Sequence, residues 1–81
     1  MSLKLYQPAI LTLDVPEKGL HAGDVGTIVD EHHVPGVGET GYSVEFFDMT
    51  GRVVAVVTVP ESNLRAPTPD DRPSVRVMQT H

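Results

Sequence analysis

The amino-acid sequence predicts an all-β fold, a single small barrel of about five antiparallel strands with a Pro-rich C-terminal tail. Short apolar runs are separated by turn-forming residues, among them seven glycines and seven prolines. No window places apolar residues at the i, i+3, i+4 and i+7 spacing that an amphipathic helix requires. With 81 residues, the chain has room for one small domain.

The first two strands are expected on either side of a long irregular loop. Residues 9–13 form a short, mostly apolar run after Pro8, whose missing N–H is harmless at the start of a strand. The loop covers 14–24 and the second strand covers 25–32. Within that strand, Gly26 indicates a bulge or a close approach of another part of the chain. Alternation places Val25, Thr27 and Val29 on one face of the strand and Gly26, Ile28 and Asp30 on the other.

The third and fourth strands are expected to form a hairpin. The third follows a glycine-rich tip at 34–41 and covers 42–47, where apolar and polar residues alternate as in a half-buried strand. The fourth covers 53–59, beyond a tight turn that ends at Gly51. Both of its faces are apolar. One face is expected to carry Val53, Ala55, Val57 and Val59, and the other Val54, Val56 and Thr58.

A single helical turn at 60–63 and a short strand at 64–65 complete the predicted order of elements. Four long strands, a large first loop, two hairpins, one turn of helix and a short last strand are the arrangement of an SH3-like small barrel. The sequence therefore divides into an N-terminal lead-in (1–7), an SH3-like barrel (8–65) and a Pro-rich tail (66–81).

Two interpretations of the tail are open. Pro67, Pro69 and Pro73 fall within seven residues, and a polar, Pro-rich segment buries too little apolar surface to become ordered, which favours a flexible tail. However, Val75 and Val77 alternate with polar residues, so the same segment could dock as a short strand on a sheet edge, its own or that of a neighbour.

The two ends and the apolar runs indicate a cytoplasmic protein. The run at 9–13 is shorter than the roughly 7–15 apolar residues of a signal peptide. The longest nearly apolar stretch, 53–59, is far below the roughly 20 residues of a membrane helix. We therefore expect neither export nor membrane association.

Charge and composition exclude several classes of function. The chain has a formal net charge of −5 and no cysteine, so it has no disulfides and no Cys-based zinc site. The segment 8–65 holds three basic and nine acidic residues, a formal charge of −6. Because phosphate contacts require clustered Lys and Arg, nucleic-acid binding is not expected.

The candidate chemical motifs are weak. The run 30–33, Asp-Glu-His-His, contains metal-ligand residue types, but neighbours on a strand point to opposite faces, so only Asp30 and His32 would share one. The glycine-rich tip at 34–41 lacks the lysine and the helix of a phosphate-binding loop. None of the serines has a nucleophile-elbow context. We expect no catalytic residue, no metal and no cofactor.

The fourth strand is the most informative feature. Phe47, Val54 and Val56 are out of phase with a sheet that has one wet face. Either a tightly coiled barrel covers this strand on both sides, or these residues form an exposed patch that a partner covers. A second copy of the chain, or the tail around Val75 and Val77, could be that cover. The predicted protein-interface residues are therefore Phe47, Val54, Val56, Val75 and Val77.

Parts of the sequence resemble a known family. The segments 15–20 (VPEKGL), 23–29 (GDVGTIV), 42–46 (YSVEF) and 60–64 (PESNL) are similar to a bacterial family of short proteins known as a domain of unknown function. That family is similar in turn to KOW-type SH3-like barrels. The resemblance implies the fold and leaves the activity open.

Together these observations favour a non-catalytic interaction module that binds a protein partner and forms a homodimer or larger homo-oligomer, and the acidic charge would suit a basic partner. Alternatives are a KOW-like nucleic-acid or ribosome-associated module, and an immunity or antitoxin-type protein that binds a basic toxin. A small enzyme or ligand-binding barrel is the least favoured.

Overall fold

The structure, a computed structural model, describes residues 3–33, 35–36 and 38–77. Within these residues the chain forms five strands and two short 3-10 turns. The strands are β1 (Pro8–Leu11), β2 (Val25–His32), β3 (Gly41–Phe47), β4 (Val53–Pro60) and β5 (Leu64–Arg65), and the turns are Pro16–Lys18 and Glu61–Asn63. Of the predicted lead-in, glycine-rich tip and tail, residues 1–2, 34, 37 and 78–81 lie outside the described residues.

All five strands belong to one antiparallel sheet with the order β4-β3-β2-β1-β5. The sheet curls into a half-barrel, and the short β5 pairs with β1. This confirms the prediction of an all-β, SH3-like small barrel. In the described part of the chain, no helix has the length and apolarity that crossing a membrane would require.

The concave side of the sheet holds the hydrophobic core. Ile28 and Val44 are fully buried where β2 and β3 pair, and Phe46 is 2% exposed. Burial of every second residue along β3 agrees with the predicted alternation. The core also contains Ala9, Leu11, Leu20, Tyr42, Val57, Val59 and Leu64.

Gly26 lies where two strands and a core side chain approach each other closely. A Cβ atom at this position would lie 2.5 Å from Cγ1 of Val44, 2.7 Å from the carbonyl oxygen of Glu45 and 3.0 Å from Cε1 of Phe46. Carbon atoms in good contact are about 3.5–4.0 Å apart. The close approach predicted at Gly26 is therefore present, and packing against β3 leaves no room for a larger residue there.

Two register shifts change which face some side chains occupy. Between β2 and β3, the shift lies between Ile28 and Asp30, and Asp30 stands opposite Ser43 on the outer face. The prediction that Asp30 shares a face with Ile28 is therefore wrong. One extra residue in a strand moves every later side chain to the other face, and an alternation rule that assumes unbroken pairing misses this.

The second shift occurs between Phe46 and Phe47, where β4 carries one extra residue. Phe46 stands opposite Ala55, but Phe47 stands opposite Val53. Because Phe47 lies on the outer face of β3, Val53 also lies there, and it is 51% exposed. The prediction that Val53 shares the face of Val57 and Val59 is wrong for the same geometric reason.

The loop between β1 and β2 is more regular than its composition predicts. Pro16 opens a 3-10 turn, and Gly19 closes it with a positive φ of 69° and a hydrogen bond from its N–H to the carbonyl of Pro16. Farther along, the carboxylate of Asp14 accepts a hydrogen bond from the backbone N–H of Ala22 at 2.8 Å. Hydrogen bonds within the loop thus help to fix its shape.

Residues 66–77 contain no strand, but two ion pairs attach them to the barrel. Asp71 accepts two hydrogen bonds from the guanidinium of Arg65, at 2.7 and 2.8 Å. Arg76 donates to the carboxylate of Asp24 and, at 3.0 Å, to the carbonyl of Gly19. These two ion pairs are the tail clasp.

The tail clasp shifts the acidities of its carboxylates. The hydrogen bonds from Arg65 hold the pKa of Asp71 well below its usual range. Burial alone would raise the pKa of Asp24, but the hydrogen bonds from Arg76 and from the His21 backbone outweigh it and lower the pKa. Both carboxylates therefore keep their charge to a lower pH than a free aspartate does.

Candidate protein-interaction surface

The outer face of the β3–β4 hairpin carries a row of exposed apolar side chains, which we call the apolar strip. It consists of Phe47, Val53, Val54 and Val56, which are 43%, 51%, 46% and 48% exposed. One interpretation of the fourth strand was that the barrel covers it on both sides. These exposures show that the described residues do not do so.

The sequence predicts three of the four residues of the apolar strip and misses Val53. Strict alternation assigns Val53 to the inner face, and only the extra residue in β4 turns it outward opposite Phe47. No signal in the sequence marks this site, because Val53, Val54 and Val56 are chemically alike. The register shift thus enlarges the exposed apolar surface.

Polar side chains border the apolar strip on the same face. Glu45 stands opposite Val56 on one side and Thr27 on the other. One step farther along, the hydroxyls of Ser43 and Thr58 are hydrogen-bonded at 2.8 Å, and Ser43 also contacts Nε2 of His32 at 2.9 Å. The strip therefore has a polar border that includes a negative charge.

A well-organised turn holds the end of the hairpin that carries the apolar strip. Oδ1 of Asp48 accepts hydrogen bonds from the N–H and the hydroxyl of Thr50, at 2.8 and 2.7 Å, and from the N–H of Arg52 at 3.0 Å. The bond from the Thr50 hydroxyl is the largest influence that lowers the pKa of Asp48. Since Phe47 and Val53 flank this turn, Asp48 helps to fix the spacing between them.

The other side of β4 is the free edge of the sheet, since β4 is the outermost strand. An open groove of about 450 Å³ lies along this edge, between residues 56–60 of β4 and residues 14–18 of the first loop. Asn63 completes the wall. The edge of β4 and the first loop thus face each other across this groove.

The structure does not place the two predicted tail residues over the apolar strip. Val75 and Val77 are 73% and 86% exposed, so they cover little surface of any kind. Between them, Arg76 contacts Asp24, at the end of the first loop. The predicted interface residues therefore form two groups, one on the hairpin and one on the tail.

The run 30–33 forms two separate polar pairs. Nε2 of His32 lies 3.8 Å from Oδ2 of Asp30, and His33 contacts Glu31. Asp30 and His32 share a face, as predicted. Across residues 3–33, 35–36 and 38–77, no three His, Asp or Glu side chains are grouped so that they could hold a metal ion.

The family model described as "Domain of unknown function (DUF4926)" matches residues 5–66. The chain belongs to this family. The match covers all five strands and stops just after β5, so the family corresponds to the barrel and excludes most of the tail. No curated protein and no solved structure is significantly similar to the chain.

Proposed function

We propose that this chain is a non-catalytic protein-interaction module that binds a protein partner through the apolar strip. The observation that carries this proposal is the strip itself, four large apolar side chains between 43% and 51% exposed on one face. Contiguous apolar surface on a small protein is typical of an interaction site. The same surface supports self-association, because a two-fold axis would bring the strips of two copies together.

The charge of the barrel favours a basic partner. Residues 8–65 carry a formal charge of −6, and opposite charge accelerates association and selects among partners. Glu45 lies beside Val56 at the border of the apolar strip. A partner that covers the strip can therefore place a lysine or arginine against Glu45. A basic nuclease or other toxin has the required charge, which supports the analogy with acidic immunity proteins and antitoxins.

We also propose that the barrel is related to KOW-type barrels and acts in the bacterial cytoplasm. KOW-type barrels engage RNA or protein. Here the basic residues of the barrel are dispersed: Lys18 lies on the first loop, Arg52 at the hairpin, and Arg65 is engaged by Asp71. Since phosphate binding requires clustered positive charge, this distribution favours protein over RNA. A titration with RNA and DNA at low salt should show no salt-dependent binding.

Affinity capture tests the proposal directly. The chain is immobilised and exposed to an extract of the cells that naturally produce it, and bound proteins are identified by mass spectrometry. We expect Val54→Lys to lose the specific partner, because it places a charge in the centre of the apolar strip. Met49→Lys is the matched control, since Met49 is 85% exposed on the hairpin turn and outside the strip. Equal capture by both variants would contradict the proposal.

A further inference from the structure

The free edge of β4 offers unpaired backbone groups to the groove. Antiparallel partners alternate between pairs that exchange hydrogen bonds and pairs that do not. The N–H of Glu61 donates to the carbonyl of Thr40 at 2.8 Å, which sets the phase of this alternation. Val57 and Val59 therefore bond to β3, and the N–H and C=O groups of Val56 and Thr58 point away from it.

Within the described residues, no backbone group accepts from or donates to these outward groups. The backbone nitrogen of Pro60 also points away from β3, so its missing N–H removes no hydrogen bond between the two strands. Unpaired strand edges are templates for another strand. The groove therefore offers hydrogen bonds of the kind that an extended backbone needs.

The size of the groove indicates how much chain it can hold. Its far wall is the 3-10 turn and the preceding residues 14–15. An extended strand within a sheet occupies about 160 Å³ per residue, from the rise, strand spacing and sheet spacing. A groove of about 450 Å³ thus accommodates about three residues.

The walls of the groove indicate the side chains that would fit. Val15, Val57 and Val59 contribute apolar surface, and Asp14 and Glu17 contribute two carboxylates against the single ammonium of Lys18. Apolar, β-branched side chains at alternate positions would meet the valines. A lysine or arginine beside them would meet the carboxylates.

We propose that an extended segment of a protein partner binds in this groove as a sixth strand, paired with Val56 and Thr58 of β4. The segment carries β-branched residues at alternate positions and at least one basic residue. This inference rests on the proposed function and specifies how the partner engages the barrel. It uses the edge of β4, whereas the apolar strip uses the outer face.

The test uses a displayed library of random seven-residue peptides, selected against the immobilised full chain. We expect enrichment of peptides with alternating β-branched residues and a Lys or Arg. A synthetic copy of the best peptide is then N-methylated at alternate residues, which removes its hydrogen-bond donors on one side. One of the two N-methylated series should lose at least tenfold in affinity, and the other should bind as the parent does.

A pair of substitutions at one position tests the edge itself. Thr58→Pro removes an N–H that points into the groove and fills part of the groove. Like Pro60, a proline at position 58 would cost no hydrogen bond to β3. Thr58→Val is the matched control, since it also removes the hydroxyl bonded to Ser43 but keeps the N–H. Peptide binding should be lost in Thr58→Pro and retained in Thr58→Val. The N-methylated peptides give the same answer should Thr58→Pro fail to fold.

Several outcomes would overturn the inference. These are no enrichment, equal binding of both N-methylated series and the parent, or equal binding by the two Thr58 variants. Peptide binding that appears only after removal of residues 66–81 would show that the chain's own tail occupies the groove. If protein capture depends on Val54 while peptides ignore Thr58→Pro, the proposed function stands and the sixth strand does not.

Discussion

Substitution of Gly26 by alanine tests the packing that shapes the barrel. The added Cβ would lie 2.5 Å from Cγ1 of Val44 and 2.7 Å from the carbonyl oxygen of Glu45. Ordinary contacts between non-bonded carbon atoms are about 3.5–4.0 Å long, so both distances are far too short. The side chain of Val44 is fully buried, and the carbonyl belongs to the β3 backbone, so neither can move without displacing a strand.

The expected cost follows from these contacts. Extra carbon atoms in a packed core destabilise proteins by about 1–3 kcal/mol. Replacing glycine lowers the entropy of the unfolded chain and offsets about 0.4–1 kcal/mol of this. Because a backbone oxygen is one of the two close atoms, we expect a net loss of about 2 kcal/mol. With an m value of about 1 kcal/mol/M, the urea midpoint should fall by about 2 M.

The assay is urea unfolding followed by far-UV circular dichroism. Gly38→Ala is the matched control, because no atom lies within 4 Å of a Cβ built at Gly38. This variant should unfold at the urea concentration of the parent or slightly above it. If Gly26→Ala unfolds at the same midpoint as Gly38→Ala, the close packing of β2 on β3 described above is wrong.

Three further predictions concern self-association, the hairpin turn and pH. Val54→Lys should convert an oligomer to monomers in size-exclusion chromatography with light scattering, while its circular dichroism stays unchanged. Unfolding of this variant would instead show that Val54 belongs to the core. The control Met49→Lys should leave the oligomer intact. Asp48→Ala should lower the urea midpoint, because it removes the acceptor of three hydrogen bonds; a midpoint equal to that of the parent would contradict this role. The pKa values of Asp24 and Asp71 are lowered in the folded chain, so the tail clasp should be fully stabilising above their ordinary pKa of 3.8, weaken as pH falls below it, and be lost only as pH falls through the lowered folded-state values. An NMR titration of the side-chain carboxyl carbons should give both aspartates pKa values below 3.8, and values at or above 3.8 would exclude the clasp.

The order of the strands and the extents of β2, β3 and β4 could be predicted because they depend on local patterns, whereas β1 ends at Leu11, two residues before the end of the predicted run at 9–13. Alternation along 42–47 and the apolar run at 53–59 correspond to β3 and β4 within a residue at either end. The helical turn predicted at 60–63 appears as Glu61–Asn63. The first loop is less well predicted, since its 3-10 turn depends on the combination of Pro16 with a positive φ at Gly19.

Three of the four residues of the apolar strip could also be predicted from a local pattern. Phe47, Val54 and Val56 are conspicuous in the sequence because they break the alternation of a half-wet sheet. Val53 joins them only because β4 has an extra residue opposite Phe46 and Phe47. The position of such a bulge depends on how two strands pair, and neither strand encodes it alone.

The amino-acid sequence by itself determined the all-β class, the order of the strands and the acidic charge of the barrel, since all three depend on residue type and local spacing. Only the tertiary structure decided that Val53 and Asp30 face outward, that Arg76 meets Asp24 and that a groove lies along β4. These features arise between residues that are distant in sequence. Side chains alternate with a period of two, so one shift in strand pairing changes the surface without changing the pattern that predicts the strands.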